Sequence, residues 1–226
     1  MAMLGSGVLA IWNGIKSGFE DEFTRWHIRE HIPERVGLPG FLRGRRYVAV
    51  DAHPKFFNFY ETQTTADLVS TAYQNRLNNP TPWTLATVKE FTDTSRTVCD
   101  VVSSQGLGCG TFVETIEFDI GAANADHAKD FKHILDEVLN LDGIVATHLM
   151  RGQSGQNQPM TEEKKLRGVP DQEVAWLILV EGIDSQVLVD NRKSTLTGER
   201  LEMLGAVKIK RGLYRMQYML GKDDLG

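Results

Sequence analysis

Cysteine is scarce in this chain. Cys99 and Cys109 are the two thiols in 226 residues, set ten apart across a glycine-rich stretch. No CxxC pair and no Cys/His metal spacing occurs, so zinc-ribbon and dithiol redox chemistry are excluded. A disulfide between them stays open, yet so few thiols fit a reducing cytoplasm better. Long hydrophobic runs are also missing. Residues Met1 to Ile11 carry neither a basic leader nor an extended apolar core, so no signal peptide or membrane span is expected and the default location is cytoplasmic. A basic excess is absent as well, because 25 Lys and Arg face 30 Asp and Glu, for a net charge of -5. That sign is wrong for a nucleic-acid partner. The short cluster Arg43-Gly44-Arg45-Arg46 lies in an apolar strand pattern and suits a small anion. Gly106-Leu107-Gly108-Cys109-Gly110 follows a strand but opens no helix, which argues against dinucleotide binding.

What is present is an ordinary globular composition, 41% hydrophobic and 24% charged. Val8 to Trp12 reads as a buried strand. A helical stripe then runs through Phe19, Phe23, Trp26 and Glu30, and Pro33 with Gly37-Leu38-Pro39-Gly40 is expected to end that helix. Strands follow over Phe41 to Val50 and Phe56 to Thr62, helices over Thr65 to Tyr73 and Pro82 to Phe91, and a strand over Thr94 to Ser103. The order β-α-β-β-α-β is that of a ferredoxin-like unit.

After a joint at 103–110, flexible by composition, the order repeats. A strand covers Phe112 to Phe118, and a helix covers Ala125 to Leu139 with Ala128, Phe131, Leu135 and Val138 on its core face. Strands follow at Gly143 to Arg151 and Val174 to Val180, separated by a long polar loop over Gly152 to Asp171. A short helix from Asp184 to Asn191 and a strand from Leu213 to Leu220 complete the pattern. The expected fold is therefore α+β, with repeats at 1–105 and 106–226. Each repeat leaves one sheet face bare, so the two sheets are expected to pack into a barrel within one polypeptide.

Titratable chemistry is densest at Trp26-His27-Ile28-Arg29-Glu30-His31-Ile32-Pro33-Glu34-Arg35. His27-x-x-Glu30-His31 spells the inverted zinc-peptidase motif. That reading is set aside because Pro33 is expected to cut the helix beside His31 and the chain has little room for a peptidase; no metal is expected. His31 suits a general acid or base, since an imidazole titrates near neutrality; its structural alternative is capping the last carbonyls or pairing with Glu34. Glu30, on the inward stripe, could orient His31, act as a base, or pair with Arg46. His27 joins them as a weaker acid–base candidate. On the arginine strand Arg46 alternates with Arg43 and Arg45, so at least one guanidinium points inward toward an anionic ligand. Tyr47, Tyr60, Trp12 and Trp83 could furnish an aromatic wall beside Trp26. His148 aligns with Arg45 and could enter from the opposite sheet or serve as a haem-type ligand.

Trp26 through Tyr47 resembles the EthD-like part of the dimeric α+β barrel superfamily. The matching residues are Trp26, Glu30, His31, Pro33, Pro39, Gly40, Arg46 and Tyr47. The resemblance implies a barrel whose interior holds a small, often aromatic molecule, with His31 pointing into the pocket. Relatives include cofactor-free monooxygenases, cyclases, dehydratases and isomerases, and more distant ones bind haem. The second repeat lacks the motif, its helix ending Leu139-Asn140-Leu141-Asp142-Gly143, so the first repeat is expected to carry the site and the second to act as scaffold. The expected function is a small-molecule enzyme using His/Glu acid–base chemistry without an obligatory cofactor. Lyase, isomerase, cyclase or monooxygenase chemistry would act on a small organic acid or phenol. The alternatives are a haem or small-ligand barrel without turnover, and a structural or assembly module, which a filled barrel interior would favour. A homodimer is compatible with either.

Overall fold

The computed structural model describes residues 3–121, 127–153, 161–167 and 173–226. Eight antiparallel strands close into one barrel in the order β1-β3-β2-β8-β5-β7-β6-β4. The strands of the first half are β1 (Gly7–Ile15), β2 (Phe41–Asp51), β3 (Phe56–Thr62) and β4 (Phe91–Gly106); those of the second are β5 (Phe112–Ile120), β6 (Ile144–Gly152), β7 (Trp176–Gly182) and β8 (Ala206–Gly221). Each half thus forms a four-stranded sheet with its fourth strand beside its first and its second on the far edge. The seams are β2 with β8 and β4 with β6. These are tandem ferredoxin-like repeats whose bare faces meet in an α+β barrel.

Alternation along the strands sorts side chains into two environments. Val8, Ala10 and Trp12 of β1 and Phe57 and Phe59 of β3 point inward, where they pack with Tyr47, Val113, Met150, Leu177, Leu179 and Tyr214. Leu9 and Tyr60 point outward and pack under the helices with Ile32, Val36, Leu68 and Tyr73. The barrel interior is filled by side chains, as expected for an eight-stranded barrel.

Several elements depart from the sequence pattern. Pro33 does not end the first helix. Helix α1 (Glu20–Trp26) runs into a π turn over His27–His31 and then α2 (Ile32–Val36). Proline has no N–H for the carbonyl four residues back and its ring crowds that carbonyl, so the hydrogen-bond ladder widens ahead of it; the Ile32 N–H bonds His27 O. Phe19 precedes the helix and is 43% exposed, so it leaves the inward stripe. The helix read over 65–73 is a 3₁₀ turn at Thr65–Val69 followed by α3 (Thr71–Asn78), with Ser70 capping the latter. The next, α4 (Pro82–Val88), stops before Phe91, which belongs to β4.

In the second half α5 spans His127–Leu139, and the expected start at 125–126 lies outside the described residues. The polar stretch after β6 contains α6 (Glu162–Arg167), while 154–160 and 168–172 lie outside the described residues. Helices α7 (Ser185–Ser194) and α8 (Gly198–Met203) follow, the last without a sequence expectation. The stretch 103–110 is not a loose joint. Residues 103–106 belong to β4, where Ser104 pairs with His148, and the Gly110 N–H donates to Glu181 Oε2 at 2.8 Å.

Candidate functional site

A cavity lies between the helices and the sheet of the first half, on the outer face of β1 and β3. It encloses about 60 Å³. That is several times the ~10–15 Å³ one water needs and under half of the ~150 Å³ that holds a benzene ring. The expectation of a ligand inside the barrel is therefore corrected: among the described residues the interior is filled by core side chains, and this cavity is on the helix side. The filled interior was also the feature that would favour a purely structural module, but it coexists here with a cavity elsewhere.

His31 lines this cavity together with Trp26, His27 and Tyr60. The π turn places the His27 and His31 rings in a stack, with centroids 5.4 Å apart, and Trp26 covers His31 at 4.3 Å. His31 Nδ1 is buried without a hydrogen-bond partner, so it caps no carbonyl and does not pair with Glu34 through that atom. Burial, then the positive charge of Arg35, holds the His31 pKa well below 6.5. Burial and Arg46 do the same for His27. Both imidazoles are thus neutral at pH 7. Arg46 can only donate, so its Nη1 at 3.1 Å makes His27 Nδ1 an acceptor and leaves the His27 proton on Nε2.

Glu30 is not bonded to His31 or to Arg46. Its Oε1 accepts from Thr81 Oγ1 at 2.5 Å and Thr84 Oγ1 at 3.2 Å, and Trp26 Nε1 donates to the same Thr84 hydroxyl. Glu30 ties the π turn to the start of α4 and is absent from the cavity lining.

The arginines separate by face. Arg46 lies on the helix side, between the Phe23 and Phe56 rings at 4.5 Å each, and bonds Thr24 and Gln217 as well as His27. Burial lowers its pKa to about 10. It supports the site from behind without lining it. Arg43 and Arg45 point into the barrel, where both hold Glu61 and Arg45 also holds Glu181 at 2.8 Å. Tyr47 and Trp12 sit in that same interior, so they are core, not pocket wall. Trp83 donates to Glu22 at 2.8 Å and borders a separate small void. His148 is fully buried inside the barrel, bonded to Ser104 through Nδ1 and to Glu181 through Nε2. It enters no pocket, and both ring nitrogens are already engaged. The described residues also contain no group of three or more His, Cys, Asp or Glu able to hold a metal. Haem does not fit either: the cavity beside His31 is far smaller than a macrocycle requires.

The structure adds residues that pattern reading passed over. Arg35 is one helical turn beyond His31, which is the signal that could have found it. It is 2% exposed, lines the cavity, and lies over the Tyr73 ring. Its Nη2 meets Glu163 Oε1 at 2.5 Å, while Nη1 has no hydrogen-bond partner. Glu163 and Thr161 come from the second half and also line the cavity, so that half is more than scaffold. Nothing local in the sequence marks them. Asn58 completes the floor; its Nδ2 donates to Asn13 while its Oδ1 is buried and unpartnered, as is the Tyr60 hydroxyl. The rest of the lining mixes apolar residues, among them Leu9, Ile11, Leu68 and Phe91, with polar ones toward the edge, Gln74, Thr94 and Arg96.

Solved structures show the same architecture. The fold is shared. A monooxygenase candidate from Fusobacterium nucleatum subsp. nucleatum is 12% identical with a TM-score of 0.63, covering 97% of this chain and 96% of that one. An anthrone oxidase-like protein is 13% identical at 0.59, covering 96% and 92%. A monooxygenase candidate from Lactobacillus acidophilus is 10% identical at 0.59, covering 96% and 97%. No family model matches the chain, and no curated protein matches it. At such identities the likeness concerns the fold alone. No helix among the described residues is long and apolar enough to cross a membrane.

Proposed function

We propose that this chain is a small-molecule enzyme of the EthD-like kind, working by acid–base chemistry without an obligatory cofactor. Neutral His31 is its general base. One observation carries this reading: His31 Nδ1, Tyr60 Oη, Asn58 Oδ1 and Arg35 Nη1 are all buried, all unpartnered, and all belong to residues lining one cavity. A buried polar group without a partner costs about 1–3 kcal/mol. Several such groups around a single cavity are the signature of a ligand that supplies the missing bonds.

The walls accept apolar carbon. Tyr60 and Arg35 donate to an oxygen, and Asn58 Oδ1 accepts from a hydroxyl. His31, unprotonated at neutral pH, removes a proton from a phenol or from carbon next to a carbonyl. Tyr60 and Arg35 then stabilise the developing oxyanion in a site shielded from water. Proton removal to an enolate or phenolate is the step shared by lyases, isomerases, cyclases and cofactor-free monooxygenases, and the names of the structural neighbours agree with such a role. A ring-sized ligand requires Val69 and Gln74 at the cavity's edge to yield.

The test is a turnover screen on small phenols and enolisable ketones, run with chelator and no added cofactor. Activity that falls ~10²-fold or more in His31→Gln supports the assignment. Unchanged turnover in His31→Gln defeats it.

A further inference from the structure

The ion pair that crosses from one half of the molecule to the other has a consequence for selectivity. Glu163 is 5% exposed and Arg35 is 2% exposed, and both line the cavity. The segment carrying Glu163 reaches the first half by packing on α3 and α4, with the Glu162 N–H donating to Asn78 Oδ1. Arg35 therefore arrives at the cavity with its charge already answered. The second carboxylate near it, Glu34, approaches Nη1 only to 3.7 Å and leaves that nitrogen without a hydrogen bond.

We propose that Glu163 is a specificity-determining residue, which cancels the charge of Arg35 so that the cavity takes an uncharged phenol, enol or carbonyl compound and rejects carboxylates. A carboxylate entering here would meet Glu163 across the same guanidinium. Two carboxylates sharing one buried cation leave one negative charge uncompensated, which a low-dielectric site penalises heavily. A neutral oxygen can instead take the vacant Arg35 Nη1 donor without disturbing the pair. Arg96, the other cation lining the cavity, donates to the Tyr73 hydroxyl at 3.2 Å and is only half-buried. Its charge is screened by solvent at the edge and does not discriminate in depth. This inference rests on the cavity being the substrate site, but it is read by binding and does not need turnover.

The experiment uses propionamide and propionate, which are nearly isosteric and smaller than a phenol, titrated by ligand-observed NMR at pH 7.5. The wild-type protein should prefer the amide by about tenfold or more, an energy of ~1.4 kcal/mol. Glu163→Gln keeps the shape of the side chain, leaves Arg35 with only the more distant Glu34 at 3.7 Å, and should reverse the preference. The double variant Arg35→Gln/Glu163→Gln has no charge at either position and should return to favouring the amide. If Glu163→Gln does not fold, Arg35→Gln alone provides the reading: with Glu163 unopposed, discrimination against propionate should grow further. An unmoved ratio in these variants overturns the proposal. So does a wild-type preference for propionate, or failure of both probes to bind any of the proteins.

Discussion

Removing the Tyr60 hydroxyl separates a structural role from a functional one, because that oxygen has no partner within the protein. If it served the fold, Tyr60→Phe would destabilise. Deleting an unsatisfied buried group instead should leave the urea midpoint unchanged or raised, by up to ~1 kcal/mol of stability, while ligand binding or turnover drops. A lowered midpoint with full activity would show the opposite. His31 makes a second test at this scale. Its folded pKa lies well below the 6.5 of an unfolded histidine, chiefly through burial. Between those values the unfolded chain binds more protons, so this residue costs the folded state stability as pH falls below 6.5. The stability difference between pH 7.5 and pH 5.5 should therefore shrink in His31→Gln relative to wild type. Activity should show the same sense: flat from pH 7.5 down to about 6.5, with an acid limb only below it.

At the scale of the element, the π turn and its tether set the site. Pro33 forces the wider turn, the turn stacks His27 on His31, and Glu30 anchors it to α4 through two threonine hydroxyls. Glu30→Ala should cost ~1.5–3 kcal/mol, the usual range for hydrogen bonds to a charged group. It should also lower turnover much less than His31→Gln. Equal losses of activity would return Glu30 to the chemistry. Gly40, which opens β2, has φ +81, and a Cβ there would run into Asp67, the residue that caps the Thr65–Val69 turn. Gly143 opens the corresponding β6 with φ +84. The two glycines at equivalent places in the repeats thus share one physical cause, a left-handed residue just before each second strand.

At the scale of the whole molecule, the barrel core contains charge as well as aromatic rings. Glu181 accepts from Arg45, His148 and the Gly110 backbone; burial pushes its pKa up, but Arg45 and His148 outweigh it and hold the value down to about 2. Glu181→Ala leaves Arg45 with Glu61 alone and strips His148 of its carboxylate in a dry interior, and should cost ~3–5 kcal/mol, measured by urea unfolding. We propose that the repeats divide at 1–105 and 106–226, which follows the two seams. A fragment of 1–105 would carry β2 and β4 as open edges and a bare inner face, so it should associate or aggregate in sedimentation experiments and not persist as a folded monomer.

The sequence by itself determined the order of the strands and the main helices, the alternation of faces along the arginine strand, and His31 beside Trp26 as the place to look, because these follow from short-range periodicity and from the limits of proline and glycine. It also narrowed Arg43, Arg45 and Arg46 to two faces. Which face meets ligand was decided only by tertiary structure, since closing the barrel fills one side of every strand with core and leaves space on the other. Arg45, Tyr47, Trp12 and His148 fell inside for that reason, and Arg46 went beneath His27. Arg35 was one helical turn from a residue already in view. Glu163 had no local signal at all: it reaches the cavity only because a segment more than a hundred residues away in the chain folds back across the first half.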